Sequence, residues 1–265
     1  MIWPHASKQH PCPICGKEDW CTFGDKATLC QRVESNHPAK TGGWYHPYDS
    51  AIKPVNIPPP KRFQPPRNIN FENLNEQYKK VMVGNALATL LGVSHASILS
   101  LCAGYSINHQ AWTFPMRDGS GKIIGIQLRG ESKRCITGSR LGLFIPQHDP
   151  QPIVYLPEGA SDTAALLSMG LYAIGRPSCN AGNEMICEFI KSKQIRRAVV
   201  VADKDEIKAG GKRPGTAGAL KLKLQLKIPS VIWFPPNSFK DVRQFLHNGG
   251  TKEIIESQVK NKIWS

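Results

Sequence analysis

The sequence contains no long apolar run. No segment approaches the roughly 20 apolar residues that a membrane-spanning helix requires, and the N-terminal stretch MIWPHASKQHPC lacks the apolar core of a signal peptide. The P-loop pattern GxxxxGKS/T, which cradles nucleotide phosphates, is also absent. These absences argue against a membrane-spanning helix and a P-loop ATPase, and we expect a cytoplasmic protein that has no membrane partner.

Acidic residues are few compared with basic ones. The chain of 265 residues carries 34 Lys and Arg against 20 Asp and Glu, so its formal net charge is +14 and its pI is about 9.5. An excess of this size favours a polyanionic partner, with nucleic acid ahead of an anionic membrane surface. A basic surface that only keeps the protein soluble is the alternative.

Cysteine is unevenly distributed along the chain. Four of the eight cysteines fall within the first 30 residues, and the other four are scattered. In a reducing compartment, the crowded set is typical of a metal site and the scattered set is typical of small buried residues. Cys12 and Cys15 form a C-x2-C knuckle, which presents two thiolates to zinc from one turn.

No second C-x2-C pair follows the knuckle, so two further zinc ligands must come from elsewhere in the segment. The candidates are Cys21, Cys30, His10, His37 and His46. Cys30 is the third predicted ligand, because KATLC is typical of a strand that returns to the knuckle. Cys21 is the fourth, and His46 is its alternative. Because four ligands close a structural zinc site, either Cys21 or His46 is expected not to bind the metal.

Composition predicts an organisation in four parts. Residues 1–49 contain little Leu from which to build an apolar core. A unit of this size usually needs an added source of stability, such as a structural metal ion. Residues 50–74 are rich in proline and cations, which predicts an extended basic linker. Residues 75–149 and 150–265 have globular composition. They are predicted to be a basic subdomain and the catalytic domain.

Apolar patterning predicts the fold class of the globular part. Leucines at helical spacing are interrupted by Gly92, and Ser94 is placed to cap a second helix. The stretch AWTFPMRDGSGKIIGIQLRG predicts two strands joined by a tight turn at residues 118–121. After Pro150, short apolar strands, YAIGRPS among them, alternate with helices. We therefore expect an α/β protein in which helices cover both faces of a parallel sheet.

Acids follow two of the predicted strands. Glu158 ends IVYLPEG, and Asp203 and Asp205 end RRAVVVADKD. The carboxyl ends of parallel strands meet at one edge, where functional groups of open α/β sheets gather. Clustered carboxylates repel one another unless a cation lies between them, and oxygen ligands suit Mg²⁺ or Mn²⁺. Helix caps and turns are the alternative roles for each acid taken alone.

The stretches PEGASDTAALLSMGLYAIGRPS, VVVADKD and KDVRQFL resemble the Toprim catalytic core that bacterial and phage primases, topoisomerases and some nucleases share. The resemblance implies that Glu158 is a general acid/base or metal ligand and that Asp203 and Asp205 form the DxD metal motif. It also matches Asp162 to a further acid and Lys240–Asp241 to a short KD element. The sequence EIKAGGKR, residues 206–213, departs from the usual pattern as an insertion after the acids.

The segments that precede the core extend this resemblance. The cysteine-rich segment is similar to the zinc ribbon at the N-terminus of primases. Residues 75–149 hold the place of the basic subdomain that precedes Toprim, and their cations alternate with apolar residues. The candidate contacts to nucleic acid or nucleotide are Arg117, Lys122, Arg129, Arg134 and Arg140. For any one of these cations, a solvated face is the alternative.

The order of ribbon, linker, basic subdomain and Toprim core implies a DNA primase, a DNA-directed RNA polymerase of a phage or mobile element. We expect it to make short RNA primers from ribonucleoside triphosphates on single-stranded DNA, with Zn²⁺ in the ribbon and Mg²⁺ or Mn²⁺ at the acids. Any helicase would be a separate protein. The alternatives are a Toprim-type nuclease and a non-catalytic single-stranded DNA-binding protein.

Overall fold

The computed structural model divides the chain into two compact units, residues 1–64 and 65–265. Within the part that it describes, no helix is both long enough and apolar enough to cross a bilayer. Most of the predicted linker falls outside that part. The structure describes residues 3–39, 42–48, 69–81, 85–204, 214–236 and 239–264.

The first unit is a small antiparallel sheet of three strands in the order β1-β2-β3. The strands are β1 (Thr22–Phe23), β2 (Ala27–Cys30) and β3 (Trp44–Pro47). Its core contains few apolar side chains other than cysteine: the buried members are Ala6, Cys12, Cys21 and Cys30. A core this small cannot offset the conformational entropy lost on folding, so the unit needs a further source of stability.

The second unit opens with α1 (Phe71–Val81), α2 (Ala86–Leu91) and α3 (His95–Ser100). The first of these begins inside the predicted linker. Gly92 ends the second helix in the left-handed conformation, with φ of 64°, which glycine adopts without steric cost. The Ser94 side chain caps the third helix by accepting a hydrogen bond from a backbone N–H three residues later. Both predicted helix signals are confirmed.

An antiparallel sheet of four strands follows in the order β4-β5-β6-β7. Its turn lies where the sequence predicts it, because the Asp118 carboxylate accepts hydrogen bonds from the backbone N–H groups of Ser120 and Lys122. The strands are β4 (Gly104–Ser106), β5 (Ala111–Arg117), β6 (Ile123–Arg129) and β7 (Lys133–Cys135).

The remaining chain forms a parallel sheet with strand order β10-β9-β8. The strands are β8 (Ile153–Leu156), β9 (Arg197–Val201) and β10 (Ser230–Trp233). The helices are α4 (Gly159–Ser168), α5 (Asn183–Ser192), α6 (Pro214–Gln225), α7 (Val242–His247) and α8 (Lys252–Lys260).

Neighbouring residues of β9 point to opposite faces of this sheet and join separate cores. Val200 lies in a core with Phe189 of α5 and Leu222 of α6. Val199 lies in a second core with Leu166 of α4 and Ile255 of α8. Helices therefore cover both faces, which confirms the α/β prediction and explains why the strands are apolar throughout.

The predicted strand YAIGRPS is not a continuous strand. Its residues Ala173, Gly175 and Arg176 make only isolated bridges, two of which run parallel to β8 and the residues that follow it. Pro177 has no N–H to donate to a ladder. A Cβ on Gly175 would lie 2.2 Å from the Thr163 hydroxyl oxygen. The segment thus follows the sheet edge closely without completing a fourth strand.

Candidate active site and metal centre

The thiols of Cys12, Cys15, Cys21 and Cys30 converge in the first unit. Their four sulfur atoms all lie within 4.8 Å of one another. The Cys21 sulfur is 3.7 Å from that of Cys15 and 4.0 Å from that of Cys30. A zinc ion bound tetrahedrally at about 2.3 Å separates its sulfurs by about 3.8 Å. Among the described residues this is the one such group of three or more, and its geometry fits zinc.

The alternative ligand His46 lies outside this cluster. Its Nε2 is 3.0 Å from the Val33 carbonyl oxygen, so its ring makes a hydrogen bond to the backbone. Cys21 lies immediately before β1 and is fully buried. The thiols alone therefore supply the four candidate ligands that a closed structural site needs.

Hydrogen-bond donors surround the sulfurs. The backbone N–H of Gln31 donates to Cys21 at 3.4 Å, and that of Val33 donates to Cys30 at 3.3 Å. The Arg32 guanidinium lies 3.7 Å from the Cys21 sulfur. Four thiolates around one Zn²⁺ leave a net negative charge, which these donors and this cation offset.

One thiol of the knuckle is already disposed to ionise. Burial opposes ionisation of Cys15, but the Lys17 amide and the neighbouring thiols that donate to its sulfur lower its pKa to about 7. The thiolate is the form that binds zinc, so these donors lower the cost of metal binding.

Glu158 and Asp203 lie at the carboxyl edge of the parallel sheet. Glu158 comes two residues after β8, and Asp203 comes two residues after β9, its parallel neighbour. Glu158 holds the N-cap position of α4, yet its side chain makes no capping hydrogen bond. Asp205 lies outside the described residues. The structure thus brings Glu158 and Asp203 to one edge, half-buried.

Asp162 lies beside this edge in the first turn of α4 and is 7 % exposed. Burial, followed by the negative charges of Asp203 and Asp241, raises its pKa to about 8, and a 3.3 Å hydrogen bond from the Arg243 backbone N–H opposes the shift. Asp203 and Asp241 therefore lie close enough to Asp162 for their charges to act on it. Hard oxygen donors this close together fit Mg²⁺ or Mn²⁺.

The KD element joins the start of α7 to the segment after β9. Asp241 caps α7 by accepting a hydrogen bond from the Gln244 N–H at 2.8 Å, while the Gln244 side chain accepts one from the Lys240 N–H at 2.8 Å. The Lys240 carbonyl in turn accepts from the Lys204 N–H at 2.9 Å. These contacts give Lys240 and Asp241 a structural role, and their catalytic role stays a prediction.

Arg129 is the predicted cation that lies next to the acids. It ends β6 and donates from Nη1 to the Ser161 hydroxyl of α4 at 2.7 Å. Burial lowers its pKa, Arg243 lowers it further, and Asp162 opposes both effects. Arg129 therefore lies within the electrostatic reach of the carboxylate edge.

The other predicted cations lie on or beside the same antiparallel sheet. Arg117 lies at the opposite end of the hairpin, where its Nη1 donates to the Gly121 carbonyl at 2.8 Å and holds the turn. The side chains of Lys122 and Arg140 are exposed, and Arg134 is exposed on β7. Their nucleic-acid role stays a prediction.

A cavity of about 440 Å³ beside Asp162 contains residues that sequence reasoning missed. Arg243 of α7 lines it together with Arg129, Tyr105 and Trp112. The two aromatic rings meet edge to face with centroids 5.0 Å apart. Arg243 stands inside the quoted motif KDVRQFL, which is the one signal that could have identified it. Nothing in the sequence placed β4 and β5 beside α7.

The sequence matches no protein-family model and no curated protein. Its structure, however, is similar to solved primase structures. The catalytic core of E. coli primase is 16% identical, with 72% of this chain and 79% of that chain covered and a TM-score of 0.54. The zinc-binding and RNA polymerase domains of Aquifex aeolicus primase are 14% identical, with 69% of this chain and 58% of that chain covered and a TM-score of 0.54.

A phage structure is similar over nearly the whole chain. The primase fragment of the bacteriophage T7 primase-helicase protein is 16% identical, with 96% of this chain and 99% of that chain covered and a TM-score of 0.51. At identities this low, structural similarity establishes a shared fold and nothing further. The chain therefore has the fold of bacterial and phage primase catalytic cores, as its motifs predicted.

Proposed function

We propose that the chain is a DNA primase that synthesises short RNA primers on single-stranded DNA by metal-dependent nucleotidyl transfer. One observation carries the proposal: the backbone N–H of Arg243, which lines a cavity with Arg129 and two aromatic rings, donates a hydrogen bond to Asp162. Asp162 in turn feels the negative charge of Asp203 at the sheet edge. Arginines recognise phosphates, and aromatic rings stack on bases. A nucleotide in the cavity would thus direct its phosphates toward the acids.

The acids would hold Mg²⁺ or Mn²⁺ through Glu158, Asp203 and Asp205, and the metal would supply Lewis-acid stabilisation of charge on the triphosphate. The chain's own residues do the positioning. Arg129 and Arg243 would bind phosphate oxygens, and Trp112 with Tyr105 would orient a base. Before metal binds, burial and the charges of Asp203 and Asp241 raise the pKa of Asp162 to about 8, so this carboxyl is able to hold a proton at neutral pH.

The cysteine unit supports a role on a template. We propose that its four thiols bind structural Zn²⁺ and that the unit contacts single-stranded DNA. In solved structures with this fold, a DnaG primase catalytic domain is bound to single-stranded DNA, and T7 primase domains are bound to an RNA/DNA hybrid. We extend these partners to this chain, with ribonucleoside triphosphates as substrates and a separate helicase in a cytoplasmic replication complex. A phage or mobile-element origin stays a prediction.

A product assay tests this function. The zinc-loaded chain is incubated with single-stranded DNA, labelled ribonucleoside triphosphates and Mg²⁺, and products are separated on a denaturing gel. We expect labelled oligomers that require template and metal. Fragments of end-labelled DNA without new oligomers would identify a nuclease instead. If neither product forms and DNA binding has a steep salt dependence, the chain is a binding protein.

A further inference from the structure

A buried arginine lies behind the carboxylate edge. Arg176 is 1% exposed, although a buried charge costs free energy unless it is paired. Its Nη1 donates to the Cys179 carbonyl at 3.2 Å and its Nη2 to the Val201 carbonyl at 3.4 Å. Its Nε has no hydrogen-bond partner among the described residues. Two hydrogen bonds to neutral carbonyls do not compensate a full buried charge.

The position of Arg176 explains what compensates it. Its backbone pairs with that of Glu158 as a parallel bridge, so it borders β8 on the side away from β9. Its guanidinium then reaches past the end of β8 to Val201, the last residue of β9. Asp203 follows two residues later. The positive charge therefore lies under the carboxyl ends of both strands that carry the acids.

The electrostatics agree with this placement. Burial lowers the pKa of Arg176, while the charges of Glu158 and, less strongly, Asp203 are among the groups that raise it. A guanidinium stays protonated in proteins even when its pKa falls. Arg176 is therefore a permanent cation at the edge.

We propose that Arg176 is a positioning residue that serves as an internal counter-charge for Glu158 and Asp203. It holds both carboxylates in place before a divalent cation arrives, and it weakens the binding of that cation because like charges repel. The inference rests on the part of the proposed function in which Glu158 and Asp203 hold the metal. It gives the site a way to keep its acids together and still exchange metal readily.

Manganese binding to the zinc-loaded full chain tests the proposal without any turnover. The variant Arg176→Gln keeps hydrogen-bond donors for the two carbonyls and removes the charge. We expect it to bind Mn²⁺ about tenfold more tightly than the wild type at pH 8, as measured by the electron paramagnetic resonance signal of free Mn²⁺. Arg176→Lys, which keeps the charge, should stay within about twofold of the wild type.

The matched control is Arg196→Gln, which removes an exposed arginine next to the amino end of β9. It should leave Mn²⁺ affinity unchanged. Equal or weaker Mn²⁺ binding by a folded Arg176→Gln variant would overturn the proposal, since a purely structural arginine predicts loosened ligands. A chain that fails to prime but shows tighter Mn²⁺ binding would refute the primase function and leave this inference intact.

Stability provides a second readout if Arg176→Gln does not fold. The double variant Arg176→Gln/Asp203→Asn removes one acid together with the cation and restores the charge balance. It should regain a cooperative thermal transition by circular dichroism in buffer without added Mg²⁺ or Mn²⁺. If both variants are equally unfolded, Arg176 does not act as a counter-charge.

Discussion

In the first unit, four sulfur atoms already lie within 4.8 Å of one another, whereas the acids of the second unit come from different strands and helices and repel one another. Donors around the thiols lower the pKa of Cys15, although burial raises the pKa of Cys12 and Cys21, and burial with like charges raises the pKa of Asp162. Four ligand atoms that already lie together are typical of a closed structural site. Acids that need an added cation are typical of an open site that substrate phosphates can join.

The largest effect is expected from a substitution that removes a ligand from the closed site. Cys30→Ser removes a ligand from a unit whose core contains little else, and structural zinc contributes on the order of 10–16 kcal/mol to folding in small domains. We expect bound zinc, measured by metal analysis after dialysis, to be lost and the first unit to become sensitive to protease. His46→Ala is the control and should keep its zinc. Full zinc content in Cys30→Ser would contradict the ligand set.

A smaller effect is expected beside the open site. Arg243→Met removes a cation from the cavity but leaves the backbone N–H that donates to Asp162. Loss of a charged hydrogen bond to phosphate predicts a rise of about tenfold in the KM for ribonucleotides, with little change in zinc content. Arg196→Met, at the other edge of the sheet, is the matched control. An unchanged KM for Arg243→Met would remove the cavity from the proposed site.

The smallest effect concerns the repulsion between the acids. Because the folded-state pKa of Asp162, about 8, is above its ordinary value of 3.8, the folded state binds this proton more tightly than the unfolded state. The contribution of Asp162 to the free energy of unfolding is therefore present at low pH and is lost as pH rises from about 4 to 8. The variant Asp162→Asn should escape this loss.

Thermal melts without added Mg²⁺ or Mn²⁺ measure this effect as the difference in Tm between Asp162→Asn and the wild type. The difference should grow with pH and reach on the order of 5 °C at pH 8. The neighbouring charges of Asp203, Asp241 and Arg243 are the same in both proteins, so they cancel to first order. A difference that stays constant between pH 5 and pH 8 would show that Asp162 is already ionised in the folded state and would contradict the raised pKa.

Local patterns predicted most of the fold. The turn at Asp118, the break at Gly92 and the cap at Ser94 each depend on neighbours a few residues away, and all three are confirmed. The strand through Arg176 failed as a regular strand because its pairing depends on how closely α4 approaches it, which no local period reports. The predicted domain boundaries and catalytic assignments stay predictions.

The candidate site also combines features that the sequence predicts with features that depend on tertiary contacts. The spacing of acids after two strands placed Glu158 and Asp203 at one edge correctly, because parallel strands share their carboxyl end. The arginines around them could not be ranked from sequence. Arg129 lies near the acids and Arg117 lies at the far end of the same hairpin, yet both stand in strands of similar pattern. Tertiary contact alone distinguishes them.

The most direct test of the central claim is primer synthesis by the double variant Asp203→Asn/Asp205→Asn. Removal of two metal-binding carboxylates costs several kcal/mol of charge stabilisation, so we expect primer yield to fall at least about 100-fold. Zinc content and affinity for single-stranded DNA should be unchanged, since the cysteine unit and the basic residues are intact. Wild-type primer yield in this variant would contradict the account.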